Sequence, residues 1–128
     1  MRPRSVLIVD DNPLIRQVIR EAFRRAGDFE VCGEADNGQD AIDKTRLLHP
    51  SLVIMDVSMP VVNGMDATRA VKKLSPEITV IMYSLYEAIF LEKEAKKVGA
   101  AAIVSKTDAV GTLIGKAREL LYDRQSAA

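Results

Sequence analysis

The segment Leu52-Val53-Ile54-Met55-Asp56-Val57-Ser58-Met59-Pro60-Val61-Val62-Asn63-Gly64 decides the fold. An apolar run ends in one carboxylate, and a turn rich in breakers follows. Uninterrupted apolar character suits a strand covered on both faces, as in a parallel sheet; a half-exposed strand alternates instead. In open parallel sheets the carboxyl ends of the strands are where sites are built. Asp56 is therefore a candidate for chemistry, although an acid in that place, taken alone, is as easily a cap or a turn residue.

The same grammar recurs on either side. Val6 to Val9 is a short apolar run that ends in Asp10 and Asp11. Asn12-Pro13 then supplies an N-cap side chain and the residue tolerated at the first helical position. Leu14, Ile15, Val18, Ile19, Ala22, Phe23 and Ala26 share one face at helical spacing, and Gly27 is the stop. Phe29 to Ala35 reads as a second strand, and Asn37-Gly38 opens a helix carrying Ala41, Ile42, Thr45 and Leu48 until Pro50 ends it. After Gly64 the face is Met65, Thr68, Val71 and Leu74, broken by Ser75-Pro76. Ile78 to Met82 is the fourth strand and runs into Tyr83-Ser84. A helix from about Glu87 to Val98 stops at Gly99, and Ala101 to Val104 is a fifth strand leading to Ser105-Lys106. Thr107 or Asp108 is expected to cap a last helix with the face Val110, Leu113, Ile114, Ala117, Leu120 and Leu121.

Five strands, each followed by a helix across a short loop, imply right-handed crossovers and a parallel sheet covered on both sides. The expected class is α/β, a doubly wound (βα)5 flavodoxin-like sandwich with the common strand order 2-1-3-4-5. One domain over 1–122 and a polar, frayed tail over 123–128 account for the chain.

Size and composition agree. The 128 residues are 48% hydrophobic, which is enough for one core and too little for two ordinary domains. Eighteen basic and eighteen acidic residues cancel, so general attraction to nucleic acid or to an anionic membrane is not expected. No run is long enough to span a membrane, and the start lacks a signal-peptide core, so a cytoplasmic location is expected. Cys32 cannot form an internal disulfide and reads as core filling. The lone His49 has no second ligand at metal-site spacing and reads as surface.

In such a sheet the residues just past strands one, three, four and five share an edge. These are Asp10 and Asp11, Asp56, Ser84 and Lys106. Three clustered carboxylates repel unless a cation is present, and an open, all-oxygen donor set suits Mg²⁺ rather than zinc. The negative charge and the lack of a glycine-rich first turn disfavour a flavin phosphate or a dinucleotide. A carboxylate can attack phosphorus to give an aspartyl phosphate while Mg²⁺ and a lysine neutralise the transferring group and a hydroxyl donates to its oxygens. That chemistry makes Asp56 the nucleophile. Singly, each of these residues has an ordinary explanation as a cap, a turn residue or a solvated charge. Jointly, those explanations would require several accidents at one edge of one sheet.

Val9-Asp10-Asp11-Asn12-Pro13 after strand one, Met55-Asp56-Val57-Ser58-Met59-Pro60 with Gly64 after strand three, Ser84 and Lys106 resemble the receiver domain of two-component response regulators, in the CheY-like superfamily. The likeness extends over essentially the whole chain, and the motif style is similar to receivers that precede helix-turn-helix output domains. It implies that Asp56 accepts phosphate from a sensor histidine kinase or a phosphotransfer protein. It further implies that Asp11, Asp56 and the Ser58 backbone carbonyl hold Mg²⁺, that Asp10 binds it through water, and that Ser84 and Lys106 contact the phosphoryl oxygens. Such a protein is a phosphoacceptor rather than a turnover enzyme, and its output is contact with a protein effector or with a fused output domain absent from this chain.

The chain departs from the family at three places. Where receivers usually carry an aromatic residue three positions before the lysine stands Ile103, so either Ile103 relays through packing, or Tyr83 or Tyr86 takes over, or the output depends less on this element. Leu85 follows the hydroxyl where a small residue is usual. Thr107 replaces the proline after the lysine, so the Lys106-Thr107 peptide is expected to be trans. Ser58 and Tyr86 flank the path of an attacking water in the family and tune phosphate lifetime. Ile89 and Phe90 lie beside or outside the core stripe Ala88, Leu91, Ala95, Val98 and form a candidate surface for a partner or a homodimer, though scattered exposed apolar residues are ordinary. The rivals to a phosphorylation switch are a degenerate receiver acting as a phosphate-independent interaction module and a Mg²⁺-dependent phosphohydrolase. The second ranks last, since no carboxylate stands two residues past Asp56 to act as acid and base.

Overall fold

Alternate residues of each strand divide between two cores, and this division explains the unbroken apolar runs. In the computed structural model, which describes residues 3–85 and 88–123 with the side chains of 88–90 and 123 set aside, the order is β1 (Arg4–Val9), α1 (Pro13–Ala26), β2 (Phe29–Ala35), α2 (Gly38–Leu48), β3 (Leu52–Asp56), α3 (Gly64–Leu74), β4 (Thr79–Ser84), α4 (Ala88–Lys97), β5 (Ala102–Ser105) and α5 (Val110–Arg118). The sheet has the order β2-β1-β3-β4-β5, and all four strand pairings are parallel. Val6, Ile8, Leu52, Ile54, Ile81, Tyr83 and Val104 pack against Ile19 and Phe23 of α1 and Leu113, Ile114 and Ala117 of α5. Leu7, Val9, Val53, Met55, Val80 and Met82 pack against Ala41 of α2, Ala67 and Val71 of α3, and Ala95 of α4. With every residue of β3 buried, a polar replacement below Asp56 would have no water on either side.

Three helices start in the same way. The side chains of Asn12, Asn37 and Asn63 accept the backbone N–H of Leu14, Asp40 and Asp66, capping α1, α2 and α3. Gly27, at φ 83°, ends α1 in the left-handed region expected of a glycine stop. His49 ends α2 in that region as well, with φ 47°, and is exposed. The Lys106-Thr107 peptide is trans. Cys32 is half-buried against the second core, and its thiol donates to the Val6 carbonyl.

Some expectations fail at the edges of the helix faces. Leu14 is 69% exposed and Val18 51% exposed, because the buried stripe of α1 is narrower than the apolar one and centres on Ile19 and Phe23. Leu74 and Leu48, both last residues of their helices, are exposed, while Ala67 fills the place against the sheet. Neither Thr107 nor Asp108 caps α5. Ala109 holds the N-cap position without a side-chain bond, because Ser105 instead closes a turn onto Thr107 and Asp108. Ile78 precedes β4 rather than opening it. Beyond α5, Glu119–Asp123 forms a short π-helical segment that docks Tyr122 edge-on to Phe29, with its hydroxyl donating to the Asp28 carbonyl. The residues 124–128 of the expected tail, and Tyr86 with the side chains of Ile89 and Phe90, lie outside the described residues.

Two glycines let the β3–α3 loop sit where it does. A Cβ on Gly64 would stand 1.9 Å from the Asp56 carbonyl oxygen, and one on Gly38 would stand 2.0 Å from that of Val62. Both clashes are with backbone, so no rotamer relieves them. Gly64→Ala is expected to cost at least about 2 kcal/mol, read as a lower urea midpoint. Gly111→Ala in α5, where nothing lies within 4 Å of the added Cβ, is expected to be neutral or stabilising by up to about 1 kcal/mol.

Candidate phosphoacceptor site

Strand parity places the charges. Asp10, Asp56 and Lys106 continue the parity of Ile8, Ile54 and Val104, the residues that face α1 and α5, and so rise from the same side of the sheet at its carboxyl edge. Asp10, Asp11, Asp56, Ser58, Ser84, Leu85 and Lys106, together with Asn12 and Ile15, line one cleft of about 550 Å³. Seven residues expected at the site are thus brought together there. Ile103 is not among them: it packs on the opposite core toward α4 and lines a separate cavity with Ala95, Ala100 and Ala101.

Lys106 is the pivot. Its ammonium lies 2.6 Å from Oδ2 of Asp10 and 3.2 Å from Oδ1 of Asp56, and its side chain is only 7% exposed. Below it, the Tyr83 ring centroid is 5.8 Å from Nζ. The backbone N–H of Lys106 donates to the Ser84 carbonyl at 2.6 Å, tying the β5–α5 loop to the end of β4. Tyr83 therefore sits on the α1–α5 side under the lysine. It cannot occupy the place on the α4 side that Ile103 leaves without an aromatic ring, which removes one of the two tyrosines expected to substitute for it.

Asp10 is 1% exposed and Asp56 5% exposed, whereas Asp11 is open to solvent. Two buried acids beside one lysine leave an excess of negative charge. Burial, and then the neighbouring Asp10 charge, push the Asp56 carboxyl up to about 6, against the opposing pull of Lys106 and the Ser58 N–H. For Lys106, burial lowers the affinity for its proton, but the hydrogen bond and charge of Asp10, with those of Asp56, more than reverse this and the net shift is upward. Carboxylate oxygens of Asp10, Asp11 and Asp56 lie within 4.8 Å of one another. Hard oxygen donors so close, with one acid facing solvent, fit a divalent cation of the Mg²⁺ type that retains part of its water shell.

The loop after Asp56 is taut. Val62 N–H donates to the Pro60 carbonyl at 2.9 Å around Val61, whose φ is 69° and whose side chain is 82% exposed. A β-branched residue in that γ-turn is strained. Ser58, one turn earlier, is exposed at the cleft, and its N–H reaches Oδ1 of Asp56 at 3.4 Å.

A residue the sequence did not single out also belongs to this edge. Arg16, in the first turn of α1, donates from its guanidinium to the Asp10 carbonyl at 2.7 Å and to Oε1 of Glu34 at 3.1 Å. Its only signal in the sequence is its place one turn past Asn12, near the end of β1.

A five-stranded doubly wound sheet with three acids, a hydroxyl and a lysine at its carboxyl edge defines a class, and the chain belongs to it: the response regulator receiver domain family, whose model matches residues 6–118. Among particular relatives, it is 38% identical over 103 residues to chemotaxis protein CheY of Thermotoga maritima, covering 80% of this chain and 85% of that one. It is 37% identical over 103 residues to a protein-glutamate methylesterase/protein-glutamine glutaminase of Methanococcoides burtonii, but this match covers 80% of this chain and only 29% of that protein. The chain thus spans less than a third of that relative's length. The solved response regulator domain of Thermotoga maritima CheB is 32% identical, with a TM-score of 0.80 over 98% of this chain and 96% of that one. No described helix is long and apolar enough to cross a membrane.

Proposed function

We propose that this receiver is a phosphorylation-controlled switch in which Asp56 accepts a phosphoryl group from a phosphohistidine-bearing kinase or phosphotransfer protein, or from a small acyl phosphate. The observation that carries this reading is the convergence of Asp10, Asp11, Asp56, Ser84 and Lys106 on one cleft. An Asp56 carboxylate oxygen attacks phosphorus and forms a new O–P bond. The donor's P–N or P–O bond breaks, and its electron pair leaves with the imidazole or the acetate. Lys106, already between Asp10 and Asp56, supplies positive charge where the transferred oxygens arrive. Ser84, at the end of β4, lines the same cleft and would offer its hydroxyl to the transferred oxygens. Asp11, Asp56 and the Ser58 carbonyl would hold Mg²⁺, with Asp10 reaching it through water; the ion's chemistry is to neutralise charge as a dianionic donor approaches three acids.

The group gained is covalent and stays on the protein, so the chain acts as acceptor rather than turnover enzyme. Ser58, not an acid, stands two residues past Asp56 and offers no general base for rapid release. The output is a shift in population between two surfaces, read by a protein partner or an attached output domain in the cytoplasm. Labelling with acetyl phosphate and Mg²⁺ is expected to give a bond that hydroxylamine cleaves, as it does acyl phosphates. A hydroxylamine-resistant label would place the phosphate on a hydroxyl instead.

Metal binding has its own signature. At about 100 times its dissociation constant, Mg²⁺ is expected to stabilise the folded chain by about 2.7 kcal/mol, seen as a rise of several degrees in melting temperature. Asp11→Asn is expected to remove most of that rise. An equal rise in the variant would show binding elsewhere.

A further inference from the structure

Asp10 is held at every polar atom. Its N–H donates to the Ala35 carbonyl at 3.0 Å, its Oδ1 accepts the Asn12 N–H at 2.9 Å, and its Oδ2 accepts Lys106 at 2.6 Å. The fourth atom, the carbonyl oxygen, accepts the Arg16 guanidinium at 2.7 Å. That guanidinium is in turn fixed. Glu34, at the end of the edge strand β2, accepts Arg16 through Oε1 at 3.1 Å and Arg20 through Oε2 at 2.5 Å, while Lys44 of α2 donates to the Glu34 backbone carbonyl. Arg16 and Glu34 are 20% and 28% exposed, more sheltered than an ordinary surface pair.

We infer that Arg16, braced by Glu34, is a positioning residue that fixes the main chain of Asp10 and thereby aims its carboxylate into the cation site. This rests on the metal-dependent reading above. Asp10 directly follows β1, at the start of the loop into α1, and among the described residues no backbone N–H from a neighbouring strand donates to its carbonyl. Arg16 supplies the missing donor, and the fork of a guanidinium serves Asp10 and Glu34 at once where an ammonium would serve one. Charge and geometry here predict opposite signs, which makes the assignment testable. Removing a cation from beside three acids, by electrostatics alone, strengthens Mg²⁺ binding. Releasing a group that orients a metal ligand weakens it, typically by about 10-fold to 100-fold.

The experiment is calorimetric titration of Mg²⁺ into the wild type, Arg16→Ala, Arg16→Lys, Glu34→Gln and Arg20→Ala. Arg16→Ala is expected to bind about 10-fold more weakly or worse, Glu34→Gln by an intermediate factor, and Arg16→Lys, which keeps one donor for the Asp10 carbonyl, to recover most of the loss. Arg20→Ala removes the same charge from the same glutamate without touching Asp10, and is expected to stay within about 2-fold of wild type. Amide hydrogen exchange at Asp10 is expected to quicken in Arg16→Ala and not in Arg20→Ala, which reports the main chain without any metal. Should Arg16→Ala fail to fold, Glu34→Gln and Arg16→Lys carry the comparison. Affinity unchanged or tightened in Arg16→Ala, with normal binding by the wild type, overturns the positioning role alone. A wild type that does not bind Mg²⁺ overturns the metal reading with it.

Discussion

Lys106→Met is expected to lower the stability of the metal-free protein by about 3 kcal/mol at about pH 8, and by much less at about pH 5. The reason is the charge it leaves behind. Lys106 is the cation within 3.2 Å of both Asp10 and Asp56, and both acids are almost fully buried. Methionine keeps the unbranched stem over Tyr83, so the loss is electrostatic rather than a cavity. Lys106 also opposes the burial that raises the Asp56 carboxyl, so without it Asp56 holds its proton above about 6. A carboxyl raised in the folded state takes up a proton that the unfolded chain releases. The penalty is therefore present above the folded pKa and disappears as pH falls toward the unfolded value of about 4. Urea midpoints at the two pH values decide it: a loss of the same size at both would assign Lys106 to packing.

Asp56→Asn is expected to go the other way and stabilise the metal-free chain. Burial and the Asp10 charge push the Asp56 carboxyl up to about 6 in the folded protein, against about 4 when unfolded, so wild-type stability falls as pH rises between those values and stays low above them. Asparagine carries no charge for Asp10 to repel. The variant is expected to gain on the order of 2 kcal/mol at about pH 8 and nothing below about pH 4, measured by denaturation in chelator. Mg²⁺ narrows the gap by stabilising the wild type more than the variant. A less stable variant at neutral pH would mean that the attraction of Asp56 to Lys106 outweighs its burial and its repulsion by Asp10. An acceptor that costs the resting fold stability is a strained site, relieved by a cation or by chemistry.

Much of this was legible from residues because the fold puts simple demands on them. A strand buried on both faces needs an apolar run, and β3 is one. Asn12, Asn37 and Gly27 mark helix ends through backbone chemistry that depends little on tertiary context. The acids could be gathered at one edge because strand ends in a parallel sheet are neighbours by construction. What stayed hidden depended on distances between segments. Leu14 and Val18 have the right period but face past the rim of the core. Ser105 competes for the turn where Thr107 or Asp108 was expected to cap. Arg16 and Glu34 look like two ordinary surface charges until α1 crosses the end of β2. Gly38 reads as part of a helix opening and Gly64 as the end of a turn, and only the packed loop shows that each makes room for a carbonyl. The absence of an aromatic residue at Ile103 was visible at once, but that Tyr83 lies on the other face needed the register of Tyr83 with Val104.

The central claim is that Asp56 is the phosphoryl acceptor. Incubation with acetyl phosphate and Mg²⁺, resolved by phosphate-affinity electrophoresis with wild type and Asp56→Asn side by side, tests it most directly. The wild type is expected to acquire a single phosphoryl group, only when Mg²⁺ is present, and the folded Asp56→Asn none; a label that persists in Asp56→Asn at the wild-type level would contradict it.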